Sequence, residues 1–284
     1  MEKEVVITTD STCDLPIYLL KKQNVEIVPL TIQLSDESYL DGINITPDDI
    51  YSFYDKTKTL PKTAAVSPDS YIGLFEKYTK QGKAVVHINL SSSISSSHQN
   101  AMIAATEFDD VYVVDSKNLC SGMGLLVLKA CDLRAEKKSA SEIADQLNEI
   151  RHRVNTSFVL DTLEFLHKGG RCSSVARLGA NLLKLKPSIE VDTQAGTMGV
   201  GKKYRGKIEQ VYIQYARDRL KDPETIEKKR IVVAHSGISQ SAIDSMKRIV
   251  SESGMFDEVI VARAGCTITS HCGPGTAAII YINK

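Results

Sequence analysis

Three separated segments of this chain gather hydroxyls, a histidine and glycines in patterns that could hold an anion. The first, Leu90-Ser91-Ser92-Ser93-Ile94-Ser95-Ser96-Ser97-His98-Gln99-Asn100-Ala101, follows an apolar strand-like run and leads into a helical one. Hydroxyls beside the unpaired first-turn amides of a helix, at the positive end of its dipole, make an anion site. Plain N-capping is the alternative. The second, Leu60-Pro61-Lys62-Thr63-Ala64-Ala65-Val66-Ser67-Pro68, reads as a hydroxyl-bearing loop leading into a helix capped by Ser67, or as an ordinary connector. The third, Gly265-Cys266-Thr267-Ile268-Thr269-Ser270-His271-Cys272-Gly273-Pro274-Gly275-Thr276, sets His271 among small residues between two hydrophobic strands. Glycines on both sides let backbone approach a ligand closely, and an imidazole can hydrogen-bond a carboxylate. A satisfied core histidine in a turn is the competing reading.

Catalytic patterns are sparse. The sequence contains no G-x-S-x-G elbow, no phosphate loop, no H-E-x-x-H pair and no G-x-G-x-x-G fingerprint. Asp10-Ser11-Thr12-Cys13-Asp14 after the first strand could serve a phosphate or a metal at a strand's carboxyl end, or form an Asx-type turn before the helix at Pro16. A phosphotransferase or hydrolase using Asp10, Asp14 and His271 is therefore one alternative function. A regulatory module for a small anion is another. No metal is expected, because His271, Cys272 and Cys266 lack further ligands at suitable spacing.

The elements that must position these segments alternate. Apolar runs at Val5-Val6-Ile7, Glu26-Ile27-Val28, Ala84 to Ile88, Val111 to Val114, Ile231 to Ala234, Val259 to Val261 and Ile279 to Ile282 are continuous, as in strands covered on both faces. Helix starts are marked by Thr46-Pro47-Asp48-Asp49, Ser67-Pro68-Asp69 and the capping box Ser139-Ala-Ser-Glu142. Ile208, Val211, Tyr212 and Tyr215 share one helical face. The pattern predicts an α/β protein of two domains, each a parallel or mixed sheet flanked by helices, with residues 1–155 carrying the hydroxyl-rich loops and 156–284 following a break near Asn155-Thr156. Residues 121–154 read as a long helical stretch. Lys168-Gly169-Gly170-Arg171 and Gly196-Thr-Met-Gly199-Val-Gly201 read as turns.

At 284 residues, with 42% apolar and 25% charged residues, the chain has the composition of a globular protein. Thirty-five basic residues balance 35 acidic ones, so no nucleic-acid partner is expected and at most transient contact with a membrane surface. Six cysteines without a C-x-x-C pair and without a secretory leader point to a reduced cytoplasmic setting. The longest apolar stretch, Gly124 to Cys131, is interrupted by Lys129 and too short to span a membrane.

Taken in order, these segments resemble the DegV family, whose better-understood members are fatty-acid-binding subunits of bacterial fatty acid kinase. Asp10-Ser11-Thr12 with Asp14, Pro61-Lys62-Thr63, Leu90-Ser91-Ser92-Ser93-Ile94-Ser95, Val114-Asp115-Ser116, Lys168-Gly169-Gly170-Arg171 and His271-Cys272-Gly273-Pro274-Gly275 carry the resemblance over essentially the whole chain. It implies a cytoplasmic, non-enzymatic, DegV-like carrier that binds a long-chain fatty acid, palmitate- or oleate-like, as its ligand, with no other cofactor. The carboxylate would be held by Thr63, Ser95 and His271 and presented to the kinase catalytic subunit for acyl-phosphate formation, feeding phospholipid synthesis. Arg205, in Lys202-Lys203-Tyr204-Arg205-Gly206, would dock that kinase. Two departures stand out. Ala64-Ala65-Val66 replaces the family's S-Q-P, and Ser96-Ser97-His98 replaces its G-T-Y.

Overall fold

In a computed structural model, which describes residues 3–172 and 185–284, the chain folds around three sheets. The first is wholly parallel, with strands β1 (Val5–Asp10), β2 (Val25–Val28), β6 (Ala84–Asn89) and β7 (Val111–Asp115) in the order β2-β1-β6-β7. A small antiparallel sheet follows β2 in sequence, with β3 (Thr31–Leu34) between β4 (Glu37–Leu40) and β5 (Lys62–Ala64). The third is mixed and six-stranded. It comprises β8 (Val154–Leu160), β9 (Leu185–Asp192), β10 (Thr197–Arg205), β11 (Ile226–Ser236), β12 (Glu258–Arg263) and β13 (Thr276–Asn283), in the order β10-β9-β8-β13-β11-β12. The α/β class expected from the alternation holds.

The helices in chain order are α1 (Ile17–Lys22), α2 (Pro47–Thr57), α3 (Pro68–Thr79), α4 (Ser97–Ala105), α5 (Cys120–Ala135), α6 (Ala140–Ile150), α7 (Glu164–Gly169), α8 (Ile208–Arg219), α9 (Gln240–Glu252) and α10 (Cys266–Cys272). Three of these helices begin at the caps the sequence signals. Ser67 Oγ accepts from Ser70 N, Thr46 N donates to Asp49 Oδ2 at 2.9 Å, and Ser139 and Glu142 cap each other's backbone amides. That last box starts α6 within the helical stretch 121–154, as its sequence signals, and separates it from α5.

Burial on both faces accounts for the continuous apolar strands. Along β11, Ile231 and Val233 pack with Tyr212, Tyr215 and Met246 of α8 and α9, whereas Val232 and Ala234 belong to the core shared with the parallel sheet. Along β13, Ile279 and Tyr281 face the first group and Ala278, Ile280 and Ile282 the second.

The shared core is centred on α5. Twelve of its 16 residues are buried, on every side of the helix, because it packs against β1 and β6 on one side and β8, β11 and β13 on the other. Its glycines mark the closest approaches. A Cβ on Gly124 would stand 2.7 Å from the Cys13 carbonyl oxygen, and one on Gly122 would stand 2.2 Å from Thr156 Oγ1 on β8.

Three local expectations need correction. The connector at 60–68 contains β5, whose Thr63 pairs with Ile32. Of Gly196 to Gly201, only Gly196 lies in a turn, and Gly199 and Gly201 are within β10 because β9 supplies the antiparallel partner. The segment after Gly265 is a short helix, α10, rather than a turn. No helix among the described residues is long and apolar enough to cross a membrane.

Because α5 is common to both large sheets, a cavity in it should weaken the fold as a unit. Leu126, fully buried in α5, should cost about 2–5 kcal/mol when changed to Ala. Urea unfolding followed by circular dichroism and by tyrosine fluorescence should shift together. Separate transitions would show that the two sheets do not share one cooperative core.

Candidate functional site

The parallel sheet changes winding direction between β1 and β6, and ligands of open α/β sheets bind at the carboxyl ends of strands at such a point. Asp10 ends β1 and Asn89 ends β6. Asp10 is fully buried and accepts hydrogen bonds from Tyr71 Oη (2.7 Å), Asn89 Nδ2 (3.2 and 3.1 Å) and Leu90 N (3.0 Å). It therefore anchors the start of the serine loop. The loop is held from its other side by the β9–β10 turn, where Ser91 Oγ donates to Gly196 O at 2.7 Å and Ser93 Oγ to Ala195 O. Ser92 N and Oγ donate to Asp115 at the end of β7. Most of the serine run is thus structural, and the loop delivers Ser95 at the mouth of α4. Ser95 Oγ accepts from Ser97 N at 3.2 Å, so it caps the helix as well.

Thr63 from the small sheet, Ser95 from the parallel sheet and His271 from α10, beside the six-stranded sheet, line one cavity of about 220 Å³. Ala64, Ala65, Leu30, Ile94 and Met198 form much of its apolar wall. Thr63 Oγ1 lies 2.9 Å from His271 Nε2. The other ring nitrogen, Nδ1, is buried without a hydrogen-bond partner. It faces Gly169 at the end of α7, where a Cβ would stand 2.7 Å away. A buried N–H without an acceptor costs more than a bare lone pair beside a C–H, so we assign the proton to Nε2. His271 then donates to Thr63, leaving the Thr63 hydroxyl proton free to point into the cavity. Burial, and then the positive charge of Arg171, lower the His271 pKa from 6.5 to about 4, so the ring is neutral at physiological pH.

Arg171 also lines the cavity, with its Nη1 donating to Gly169 O at 2.8 Å. Among the described residues it brings the only full positive charge to the lining. In sequence, Lys168-Gly169-Gly170-Arg171 offers an arginine directly after a glycine pair, but nothing in one dimension places it in the same cavity as His271.

Leu119 and Ile268 line this cavity and also a narrower space of about 30 Å³ behind it. That second space lies between α5, β8, β11, β13 and α10, and Phe158, Ala234, Ala278 and Ile280 contribute to its walls. The surface it presents is almost wholly apolar. Polar groups thus gather in one cavity, and the space next to it is apolar.

Other sequence candidates lie elsewhere. Arg205 ends β10, exposed and outside the cavity lining. Its neighbour Lys202 is committed to an ion pair with Asp218. Asp10 and Asp14 do not line the cavity. Asp14 Oδ1 accepts from Gly265 N at 2.9 Å, so the hydrolase arrangement of Asp10, Asp14 and His271 is not assembled. His98 is absent from the lining too, and burial lowers its pKa. Among the described residues no three histidine, cysteine, aspartate or glutamate side chains gather as a metal site.

A ring neutral in the fold and protonatable when unfolded ties stability to pH. Because the folded pKa lies below the unfolded one, this contribution is complete above pH 6.5 and is lost as pH falls through about 4. Nitrogen-15 NMR should find His271 still neutral at pH 5.5. His271→Gln should flatten the decline of the unfolding midpoint over that window, and an unchanged slope would contradict the assignment.

The comparisons with known proteins identify the family and the fold. The family model described as "Uncharacterised protein, DegV family" matches residues 4–284. A DegV domain-containing protein of Clostridium acetobutylicum is 34% identical, over 100% of both chains. A DegV family protein from Thermus thermophilus, whose solved structure is described by its fatty acid binding, superposes with a TM-score of 0.91 at 29% identity, covering 100% of both chains. DegV of Bacillus subtilis, described as a fatty acid binding protein, gives 0.84 at 26% identity over 99% of this chain and 100% of that one. With nearly its whole length matched by the family model, the chain belongs to the DegV family.

Proposed function

We propose that this chain binds a long-chain fatty acid, carboxylate at the mouth and tail in the slot, and presents the carboxylate to a separate kinase. The observation that carries the reading is the adjacency of the two spaces. Thr63, Ser95 and His271 line the first, and Leu119 and Ile268 form the wall it shares with an apolar second space. The relatives described as fatty-acid-binding support the same ligand class.

The two parts do different work. Burying a methylene contributes about 0.8 kcal/mol, so a dozen supply about 10 kcal/mol before ordering costs. The tail sets affinity. At about 30 Å³ the slot admits such a tail only as its lining side chains part. A carboxylate leaving water needs hydrogen bonds or charge to offset desolvation. Thr63, turned outward by His271, and Ser95 are the hydroxyl donors, and Arg171 is the cation within the same lining.

The head group and tail then divide along the chain. Residues 1–155 supply Thr63 and Ser95, and 156–284 supply His271 and most of the slot. Acyl-phosphate formation belongs to a cytoplasmic kinase docked at Arg205, with its product passing to phospholipid synthesis.

Protein purified from a bacterial host should release a long-chain fatty acid on denaturing extraction and mass spectrometry. Lipid-free preparations that also fail to take up palmitate or oleate would sink the reading. Thr63→Ala and Ser95→Ala should each weaken palmitate binding about tenfold, the value of one charge-assisted hydrogen bond. Arg205→Ala should leave palmitate binding intact and abolish acyl-phosphate formation with a fatty acid kinase. Unchanged turnover would remove Arg205 from the docking surface.

A further inference from the structure

The helix bearing His271 is too short to be stable by itself, and its first amides need acceptors. Its N-cap position is Gly265, which has no side chain to supply one. The acceptors come instead from residues more than 200 positions earlier in the chain. Asp14 Oδ1 accepts from Gly265 N at 2.9 Å. Asp41 Oδ1 accepts from Cys266 N at 2.8 Å, and Asp41 Oδ2 accepts from Thr267 N at 3.1 Å and from Thr267 Oγ1 at 2.7 Å. The carboxylates crowd the cap position itself, where a Cβ would stand 2.9 Å from Asp14 Oδ1 and 3.3 Å from Asp41 Oδ1.

Asp41, which is 4% exposed, is itself tied to the start of the small sheet. Its backbone N donates to Leu30 O at 2.9 Å. Ser11 Oγ donates to Asp41 Oδ2 at 3.0 Å while accepting from Leu30 N at 3.1 Å. The same sheet sets Thr63, because β5 is in register with β3 through Ile32 and Thr63. Both members of the Thr63–His271 hydrogen bond are thus referred to one segment, Leu30 to Asp41. Thr63 is placed by strand register and His271 by the carboxylate that starts its helix.

We propose that Asp41, with Asp14 beside it, is a positioning residue for the head-group site, holding α10 so that His271 meets Thr63. The proposal rests on the fatty-acid reading of the cavity for its ligand readout but not for its geometric one. It separates Asp41 from an ordinary stabilising cap, because loosening α10 should affect recognition of the carboxylate more than burial of the tail.

The test compares wild type with Asp41→Ala and the near-isosteric Asp41→Asn, measuring binding of palmitate and of methyl palmitate, which keeps the tail and lacks the anionic head. Asp41→Ala should lose at least about tenfold in palmitate affinity and less than about threefold for the ester, the difference expected when a charge-assisted contact is misplaced. Asp41→Asn, which keeps one acceptor oxygen, should fall between and serves if the alanine variant does not fold. Equal losses for both ligands, or no loss, would overturn the proposal. A second measurement needs no ligand. His271 followed by NMR should titrate closer to its ordinary 6.5 in Asp41→Asn than in wild type, and an unmoved titration would also overturn it. Wild-type protein that binds no palmitate would refute the fatty-acid reading, while the titration would still decide the role of Asp41.

Discussion

The arrangement depends on the burial of α5. A 16-residue helix with twelve buried residues and sheets packed on opposite sides leaves little besides its C-terminal end, around Asp132 and Ala135, toward water, so two sheets must close over it. That requirement brings the parallel and six-stranded sheets into one continuous core, from Val5 to Ile282. At the N-terminal end of α5, Leu119 lines both the cavity that gathers Thr63, Ser95 and His271 and the apolar space next to it.

Around that junction the fold accumulates buried polar groups, which are tolerated only when paired. Asp10 gathers Tyr71, Asn89 and the Leu90 amide beneath the serine loop, and Asp41 gathers Ser11, Cys266 and Thr267 beneath α10. These two carboxylates organise the loops from which Ser95 and His271 project. The cavity-lining hydroxyls and the imidazole thus sit on scaffolding that is already hydrogen-bonded. A neutral histidine turning a threonine outward presents a donor to an anion without burying a second charge.

Much of this was legible in order of sequence. The apolar runs identified the central strands, and the caps at Thr46, Ser67 and Ser139 located helix starts, because both signals are local. The three loops bearing Thr63, Ser95 and His271 could be singled out by residue type. Elements without a strong local signal escaped. Strand β5 is three residues long and exists because β3 offers a partner. Strand β10 runs through Gly199 and Gly201, which argue for turns until β9 lies alongside. Helix α10 has glycine at its cap and depends on acids from the other half of the chain.

By itself, then, the sequence determined the fold class, the alternation of strand and helix, and the family. These follow from periodicity, capping and ordered motifs, each contained within a few residues. Tertiary structure alone decided which polar side chains share a cavity, that Arg171 joins them, that His271 is neutral and engaged with Thr63, and that Asp41 starts the helix behind it. Each depends on groups far apart in the chain, 208 residues for Thr63 and His271 and 251 for Asp14 and Gly265. Their desolvation and hydrogen bonding exist only once the sheets have closed around α5.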